Sequence, residues 1–317
     1  MAARPQSPVL RGVHVLDGAL ATELEARGAR IDGPLWSAHV VEEAPEKILD
    51  VHRSYLAAGA DSIETATYQV SRMGYAECGY PPERADAALL RGVELARRAA
   101  AEFPGRRVVV AASLGPYGAA LHNGAEYTGD YAIGFADLVE FHRERIGGLA
   151  AVRDAQRPDI LAFETLPSLE EARAIAEALR VWPELPVWFS FTCRDAAHVA
   201  RGERLRDCAA AAAALPQTAA IGVNCTHPSL IAGLIGELRA ASDHPILVYP
   251  NSGEGWDAER RCWTGSSDTA EFGALAGAWY RAGAQIVGGC CRTGPGHIRA
   301  VKQADSQREA FPPLESS

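Results

Sequence analysis

Three cysteines beside two apolar segments have the chemistry and the placement of metal ligands. Cys290 and Cys291 follow a short apolar run and the pair Gly288-Gly289, and Cys225 ends another apolar run. Successive strand side chains point to opposite faces, so Cys290 and Cys291 reach one point only if the backbone bends, which two glycines allow. If the two strand ends meet, three thiolates converge. Three soft ligands with one open position are typical of a catalytic zinc. We therefore predict one Zn²⁺ per chain, held by these three cysteines.

The cysteines also have other possible roles. A free cysteine is often only a small buried hydrophobe. We predict that role for the other four, which are Cys78, Cys193, Cys208 and Cys262. A disulfide between the adjacent residues Cys290 and Cys291 is the remaining alternative, but it would be strained, and a reducing compartment disfavours it.

Two acids at the ends of predicted strands, Asp17 and Glu164, are candidates for binding an ammonium group. The alternative is that each is a helix N-cap. A short helix is predicted after Asp17-Gly18, and its first N–H groups, around Ala21 and Thr22, would face the same pocket and could bind a carboxylate. An ammonium site beside a carboxylate site is an amino-acid site. A metal beside this site, with one position open for sulfur, suggests that the amino acid carries a thiol.

Eight apolar segments, each followed by helical sequence, would position these residues. The predicted strands are Val13–Gly18, Asp61–Tyr68, Val108–Leu114, Ile160–Glu164, Val187–Thr192, Ala219–Asn224, Ile246–Tyr249 and Gln285–Gly288. This count predicts an α/β fold, a single-domain (β/α)8 TIM barrel over residues 13–305, with tails at 1–12 and 306–317. The competing fold is an open doubly wound sheet, whose glycine fingerprint after the first strand is absent from this sequence.

Composition and charge argue against several classes of function. The chain has 31 Lys and Arg against 40 Asp and Glu, a net charge of −9. An acidic chain without a basic run is a poor candidate for binding nucleic acid or an anionic membrane. No apolar stretch reaches the ~18 residues of a membrane span, and the first residues lack the apolar region of a signal peptide. We expect a cytoplasmic protein with small-molecule substrates; the sequence carries no signal for oligomeric state.

Nine short segments, spread from about Val13 to Ala300, carry a resemblance to a known family. They are Asp17–Glu25, Leu35–Ser37, Ala57–Asp61, Thr65–Gln69, Gly115–Gly118, Glu164–Pro167, Gly222–Cys225, Tyr249–Gly253 and Gly288–Cys291. With these segments the chain resembles the homocysteine S-methyltransferases. The resemblance implies a TIM barrel, a zinc ion on Cys225, Cys290 and Cys291, and methyl transfer to homocysteine.

The resemblance also indicates which methyl donor to expect. The betaine-dependent branch has an aromatic residue after the acid that matches Glu164, whereas Thr165 follows here. The chain looks more like the members that use S-methylmethionine or S-adenosylmethionine. It has no cobalamin or folate domain, so it is not a full methionine synthase. Glu64 stands where an apolar or small residue is expected.

Further residues are predicted to contact the substrates. Trp36, Tyr68 and Tyr117 are candidates for an aromatic wall around a sulfonium, with core packing as the alternative for each. Asn224 and Asn251, inside the matched segments, are additional substrate-binding candidates.

The long loop Gly115–Asp130 is predicted to close over the donor, because loops of this length in compact domains are often lids. Other functions stay open at this point. They are a selenocysteine or betaine-dependent methyltransferase of the same family, and a non-catalytic barrel that binds zinc or thiols.

Overall fold

The structure, a computed structural model, describes residues 7–31, 35–152, 156–257, 262–264 and 267–308, without the side chains of residues 36, 37, 255–257 and 262–264. Within these ranges it is an α/β fold. The strands are β1 Ser62–Glu64, β2 Val109–Leu114, β3 Ile160–Leu166, β4 Val187–Phe191, β5 Thr218–Asn224, β6 Ile246–Tyr249, β7 Gly255–Asp257, β8 Cys262–Thr264 and β9 Ile286–Val287.

Helical segments alternate with the strands. The α-helices are α1 Leu20–Ala26, α2 Val40–Glu43, α3 Pro45–Ala58, α4 Arg72–Glu77, α5 Pro82–Ala101, α6 Tyr117–Ala120, α7 Phe135–Ala150, α8 Leu169–Ala178, α9 Leu205–Ala213, α10 Ile231–Ala241, α11 Thr269–Ala282 and α12 Pro295–Arg308. None of the helices in the described ranges combines the length and the apolar composition that crossing a bilayer requires.

Seven strands form one parallel sheet in the order β1-β2-β3-β4-β5-β6-β9. Strands that follow one another along the chain are therefore neighbours in the sheet. A doubly wound sheet reverses its strand order at a switch point, and this sheet does not, so that alternative is wrong. The antiparallel pair β7–β8, which the sequence did not predict, lies outside the main sheet.

The predicted first strand, Val13–Gly18, is reduced to two isolated bridges. Val15 pairs in parallel with Val287 of β9, and Leu16 pairs in parallel with Ser62 of β1. The carboxylate of Asp61 accepts hydrogen bonds from the backbone N–H groups of His14 and Val15 at 3.1 and 3.0 Å. A side chain thus takes N–H groups that a regular strand would direct to a neighbour, which keeps this segment irregular.

Both predicted tails are partly structured. Pro8–Leu10 forms a 3₁₀ helix, and Leu10 is fully buried. At the other end α12 continues to Arg308.

The strands of the main sheet are largely buried on both faces, and their alternation produces two apolar clusters. In β2, Val110 and Ala112 join the larger cluster with the helices, whereas Val109 and Ala111 join a smaller cluster made mostly of strand residues. Helices that cover a parallel sheet produce this double burial.

Toward the carboxyl ends of the strands, the residues that are in phase with the smaller cluster change from apolar to polar. The residues in phase with the smaller cluster at these ends are Glu64, Ser113, Glu164, Ser190, Asn224 and Tyr249. The smaller cluster is thus capped by one polar layer.

Close pairing of β5 and β6 leaves no room for a side chain at Gly222. A Cβ there would overlap the carbonyl oxygen of Leu247 and lie 2.7 Å from its Cδ1. We expect Gly222→Ala to destabilise the protein by about 1–3 kcal/mol, the usual range for overpacking, and to lower its thermal unfolding midpoint.

A glycine in open surroundings provides the matched control. A Cβ on Gly236, within α10, would have no neighbouring atom within 4 Å in the described part of the structure. Gly236→Ala should raise the midpoint, because Gly costs up to ~1 kcal/mol inside a helix. Equal losses for both variants would contradict the packing argument.

Candidate metal and substrate site

The three cysteines predicted to bind a metal lie together beyond the carboxyl ends of the strands. Cys225 directly follows β5, and Cys290 and Cys291 follow β9. Their Sγ atoms all lie within 4.8 Å of one another. Cys225 Sγ is 3.7 Å from Cys291 Sγ and in disulfide contact with Cys290 Sγ. This contact joins residues from two strand ends, and Cys290 and Cys291 are not in disulfide contact with each other. Binding a metal through all three cysteines requires their reduced form.

The backbone around the cluster includes residues in the left-handed region. Thr165, Cys225 and Arg292 have φ values of 58°, 46° and 67°. Such conformations cost non-glycine residues about 1–3 kcal/mol each and persist where the surrounding structure enforces them. At Cys225 the chain turns out of β5 at once, which directs the thiol toward Cys290 and Cys291.

Gly288 and Gly289 have a different role from the one predicted. Neither has a positive φ. A Cβ on Gly288 would lie 2.6 Å from Leu16 Cβ, and a Cβ on Gly289 would lie 2.6 Å from Thr293 Cβ. The two glycines therefore let the first segment and the turn after the cysteines approach the end of β9 closely.

Asn224 connects the strand ends behind the cysteines. Its fully buried side chain accepts hydrogen bonds from the Thr165 backbone N–H and the Ser190 hydroxyl, and donates one to Thr165 Oγ1, each at 2.8 Å. The pairing of β3 with β4 shifts register between Phe163 and Leu166, on either side of Glu164-Thr165. Asn224 thus holds this irregular turn of backbone in place, and its amide lies 4.0 Å from Cys290 Sγ.

A cavity of about 140 Å³ adjoins the cysteines. Of the residues proposed from the sequence, those that line it are Asp17, Gly18, Ala21, Thr22, Tyr68, Glu164, Cys225, Cys290 and Cys291. The structure therefore brings the predicted ammonium, carboxylate and metal groups to one cavity.

Three other proposed residues do not line the cavity, and a fourth has no described side chain. Asn224 and Asn251 are not among the residues that line the cavity. Tyr117 is also absent from its walls, and its ring packs on Tyr131 and Phe141 at centroid distances of 5.4 and 5.2 Å, which is core packing. Trp36 begins a short 3₁₀ helix, and its side chain lies outside the described part of the structure.

The acids of the cavity are buried next to one another. Burial raises the pKa of Glu164 to about 7, although hydrogen bonds from Ser113 and Tyr249 favour its charged form. Burial also raises the pKa of Asp17 well above its usual range. The pKa of Glu64 is raised in the same way, first by burial and then by the charges of Glu164 and Asp17. A cation in the cavity would reverse these shifts by stabilising the carboxylates.

The cavity also includes residues that were not predicted from the sequence. Among them are Glu126, Tyr127 and Tyr249, and also Ser113 and Thr165, which the sequence placed at strand ends without a substrate role. Ser113 and Tyr249 could have been found by continuing the alternation of β2 and β6 to the strand ends. Glu126 and Tyr127 belong to the loop that the sequence marked only as a lid, and no local pattern shows that they turn inward.

This arrangement can bind a soft metal and a cationic group side by side. Metal ligation requires the cysteines as thiolates. Burial raises the pKa of Cys291 to about 11, so a nearby positive charge is needed to hold it deprotonated. The neighbouring carboxylates offer hydrogen-bond acceptors to an ammonium group.

Comparisons with known proteins agree with this chemistry. Residues 14–304 match the homocysteine S-methyltransferase family. Homocysteine S-methyltransferase YbgG of Bacillus subtilis is 42% identical over 295 residues, covering 90% of this chain and 92% of the relative. A selenocysteine Se-methyltransferase of Brassica oleracea is 40% identical, covering 96% and 93%.

A solved structure is similar over the same extent. The crystal structure of the homocysteine methyltransferase MmuM from Escherichia coli, in a metallated form, superposes with a TM-score of 0.81 at 39% identity, covering 93% of this chain and 99% of that one. The match to the family covers nearly all of the described part of the chain, and the relatives are named as methyltransferases. The chain belongs to the homocysteine S-methyltransferase family.

Proposed function

We propose that this protein transfers a methyl group from a sulfonium donor to the thiol of L-homocysteine, forming methionine. The observation that carries the proposal is the convergence of three thiols within 4.8 Å beside a cavity lined by buried acids. Membership of the family and the names of the relatives support methyl transfer to homocysteine. The Brassica oleracea relative makes selenocysteine a second acceptor to test.

The three cysteines fit a zinc ion, because soft thiolates from two strand ends suit its ligand preference. Cys225, Cys290 and Cys291 would hold it and leave one position for the acceptor. When bound, Zn²⁺ would favour the thiolate form of homocysteine at neutral pH, where a free thiol with a pKa near ~8.5 is mostly protonated.

The remaining steps depend on the residues of this chain. Asp17 and Glu164 would bind the ammonium group of homocysteine, and the N–H groups at Ala21 and Thr22 would meet its carboxylate. The acceptor sulfur then forms a bond to the donor methyl carbon as the bond from that carbon to the sulfonium breaks. The electron pair of the broken bond returns to the donor sulfur, which leaves as a neutral thioether. Alignment of the two sulfurs contributes much of the acceleration.

We also infer that the sheet closes into a single-domain (β/α)8 barrel. The support is that the segment around Val15 and Leu16 pairs with both edge strands, β9 and β1. A closed barrel would place Asp17 at the same rim as Glu164 and the cysteines.

Removing any one cysteine of the cluster should remove the metal. We expect Cys290→Ala to lose zinc and methyl transfer but to stay folded, because the apolar clusters lie below the site. Cys208→Ala, in the buried face of α9, and Cys78→Ala serve as controls and should keep their zinc. Metal analysis of the purified variants by mass spectrometry measures the outcome. Full zinc in Cys290→Ala would refute the assignment.

Neutralising Glu164 should weaken binding of homocysteine specifically. A hydrogen bond to a charged group contributes ~1.5–3 kcal/mol, so Glu164→Gln should raise the KM for homocysteine by about 10- to 100-fold at normal zinc content. Glu43→Gln, an exposed position at the end of α2, is the charge-matched control. An unchanged KM for homocysteine in Glu164→Gln would remove Glu164 from the ammonium site.

The donor should be a sulfonium amino acid. A sulfonium is a much better methyl leaving group than a quaternary amine, and Thr165 after Glu164 resembles the sulfonium-using branch. We expect S-methylmethionine to react faster than S-adenosylmethionine, and betaine to be inactive. Labelled donors offered in competition, with homocysteine and then selenocysteine as acceptor, measure this ranking. Transfer from betaine at the rate of S-methylmethionine would overturn it, and absence of transfer from every donor would favour a non-catalytic thiol-binding protein.

A further inference from the structure

The cavity has more negative groups than one amino-acid acceptor can use. Four carboxyl side chains line it, from Asp17, Glu64, Glu126 and Glu164. No Lys, Arg or His is among the described residues that line it. The buried Arg145 lies nearby, but its guanidinium donates to the backbone carbonyls of residues 67, 68 and 115. The unmatched carboxyls therefore indicate a second cationic ligand.

Glu64 and Glu126 each have a buried carboxyl oxygen without a partner in the described part of the chain, and of the two only Glu126 lies on the loop Gly115–Asp130. Asp17 accepts from the Glu64 backbone N–H at 2.9 Å, and Glu164 accepts from the Ser113 hydroxyl. Glu64 lies beside Glu164, and its Oε1 is buried without a partner among the described residues. Glu126 is only 7% exposed, and its buried Oε2 has no hydrogen-bond partner in the described part of the chain. An unpaired buried acceptor of this kind costs stability until a donor reaches it.

The loop fixes Glu126 firmly at this place. Glu126 lies in the 3₁₀ helix Ala125–Tyr127, which packs on α6. A Cβ on Gly118 of α6 would lie 2.7 Å from the carbonyl carbon of Ala125, so the two backbones are in direct contact. The next residue, Tyr127, lines the cavity together with Cys291. The turn that carries Glu126 thus borders the cavity beside the cysteine cluster, where a group that reacts with the bound acceptor has to lie.

We propose that Glu126 binds the α-ammonium group of the methyl donor and thereby selects donors that carry an amino-acid end. This inference rests on the proposed function. An ammonium group has three N–H donors that satisfy a buried carboxylate oxygen, whereas a sulfonium has none. The sulfonium end is better matched by the rings of Tyr68 and Tyr127, which also line the cavity. Burial raises the pKa of Glu126 to about 7, so the bound cation would also hold the carboxyl in its charged form.

Two donors that differ only in the amine test this role. S-methylmethionine carries the ammonium, and 4-dimethylsulfoniobutyrate is the same molecule without it. We expect Glu126→Gln to lower kcat/KM for S-methylmethionine by about 10- to 100-fold, the range for a hydrogen bond to a charged group. The value for 4-dimethylsulfoniobutyrate should change by less than about threefold, since that donor never makes the contact. The KM for homocysteine and the zinc content should stay at the wild-type values.

Two further variants separate donor binding from a role in holding the loop. Glu126→Asp keeps the charge and should restore part of the preference for S-methylmethionine. Glu43→Gln should match the wild type with both donors. Thermal unfolding of each variant checks that the fold is intact.

The results that overturn the proposal are distinct. Equal losses with both donors in Glu126→Gln would show a structural role for Glu126. A rise in the KM for homocysteine with donor kinetics unchanged would show that Glu126 binds the acceptor. Both outcomes refute this inference and leave the proposed function standing. A wild-type protein that transfers methyl from neither donor refutes the proposed function and the inference together.

Discussion

The two-sided burial of the parallel strands determines where this protein can place polar groups. Along β3, Ile160 and Ala162 point into the smaller apolar cluster, and the next residue in phase is Glu164. The strands are parallel, so every such series ends at the same edge of the sheet. Polar side chains that would be unsatisfied inside the cluster are tolerated at this edge, where strand ends supply free backbone groups and a cavity. The position of the site is thus a consequence of strand direction and alternation.

The buried carboxyls and thiols at that edge are electrostatically unfavourable neighbours until a cation binds among them. Carboxyls and thiols are both harder to ionise when buried, and here they are neighbours, as the raised pKa values of Glu164 and Cys291 show. A cationic ligand or a metal ion relieves both effects at once. Binding to the folded state stabilises it by mass action, so the ligands that complete the chemistry would also stabilise the fold.

Much of this fold can be predicted from apolar periodicity. The parts that could not be predicted depend on contacts between residues far apart in the sequence. The segments that became β2 to β6 were predicted nearly to the residue, because their double burial leaves a long apolar run. The first segment failed as a strand because the Asp61 side chain takes its N–H groups, a contact between residues 47 positions apart. The β7–β8 pair has no apolar alternation that marks it as a hairpin.

The same holds for the site: local sequence patterns reveal some of its residues and not others. Glu164 lies near the end of β3, the cysteines follow β5 and β9, and Asp17 follows the segment that bridges β9 and β1, so chain direction brings them together. Glu126 reaches the cavity only because Gly118 lets one turn of the loop lie against another. Strand ends are rigid and loops vary more easily. If the acceptor and the metal are held by strand ends and the donor by the loop, then changes in the loop can alter the donor while the acceptor half is kept. A division of this kind would let the donor specificity change while the three cysteines and the acceptor site stay the same.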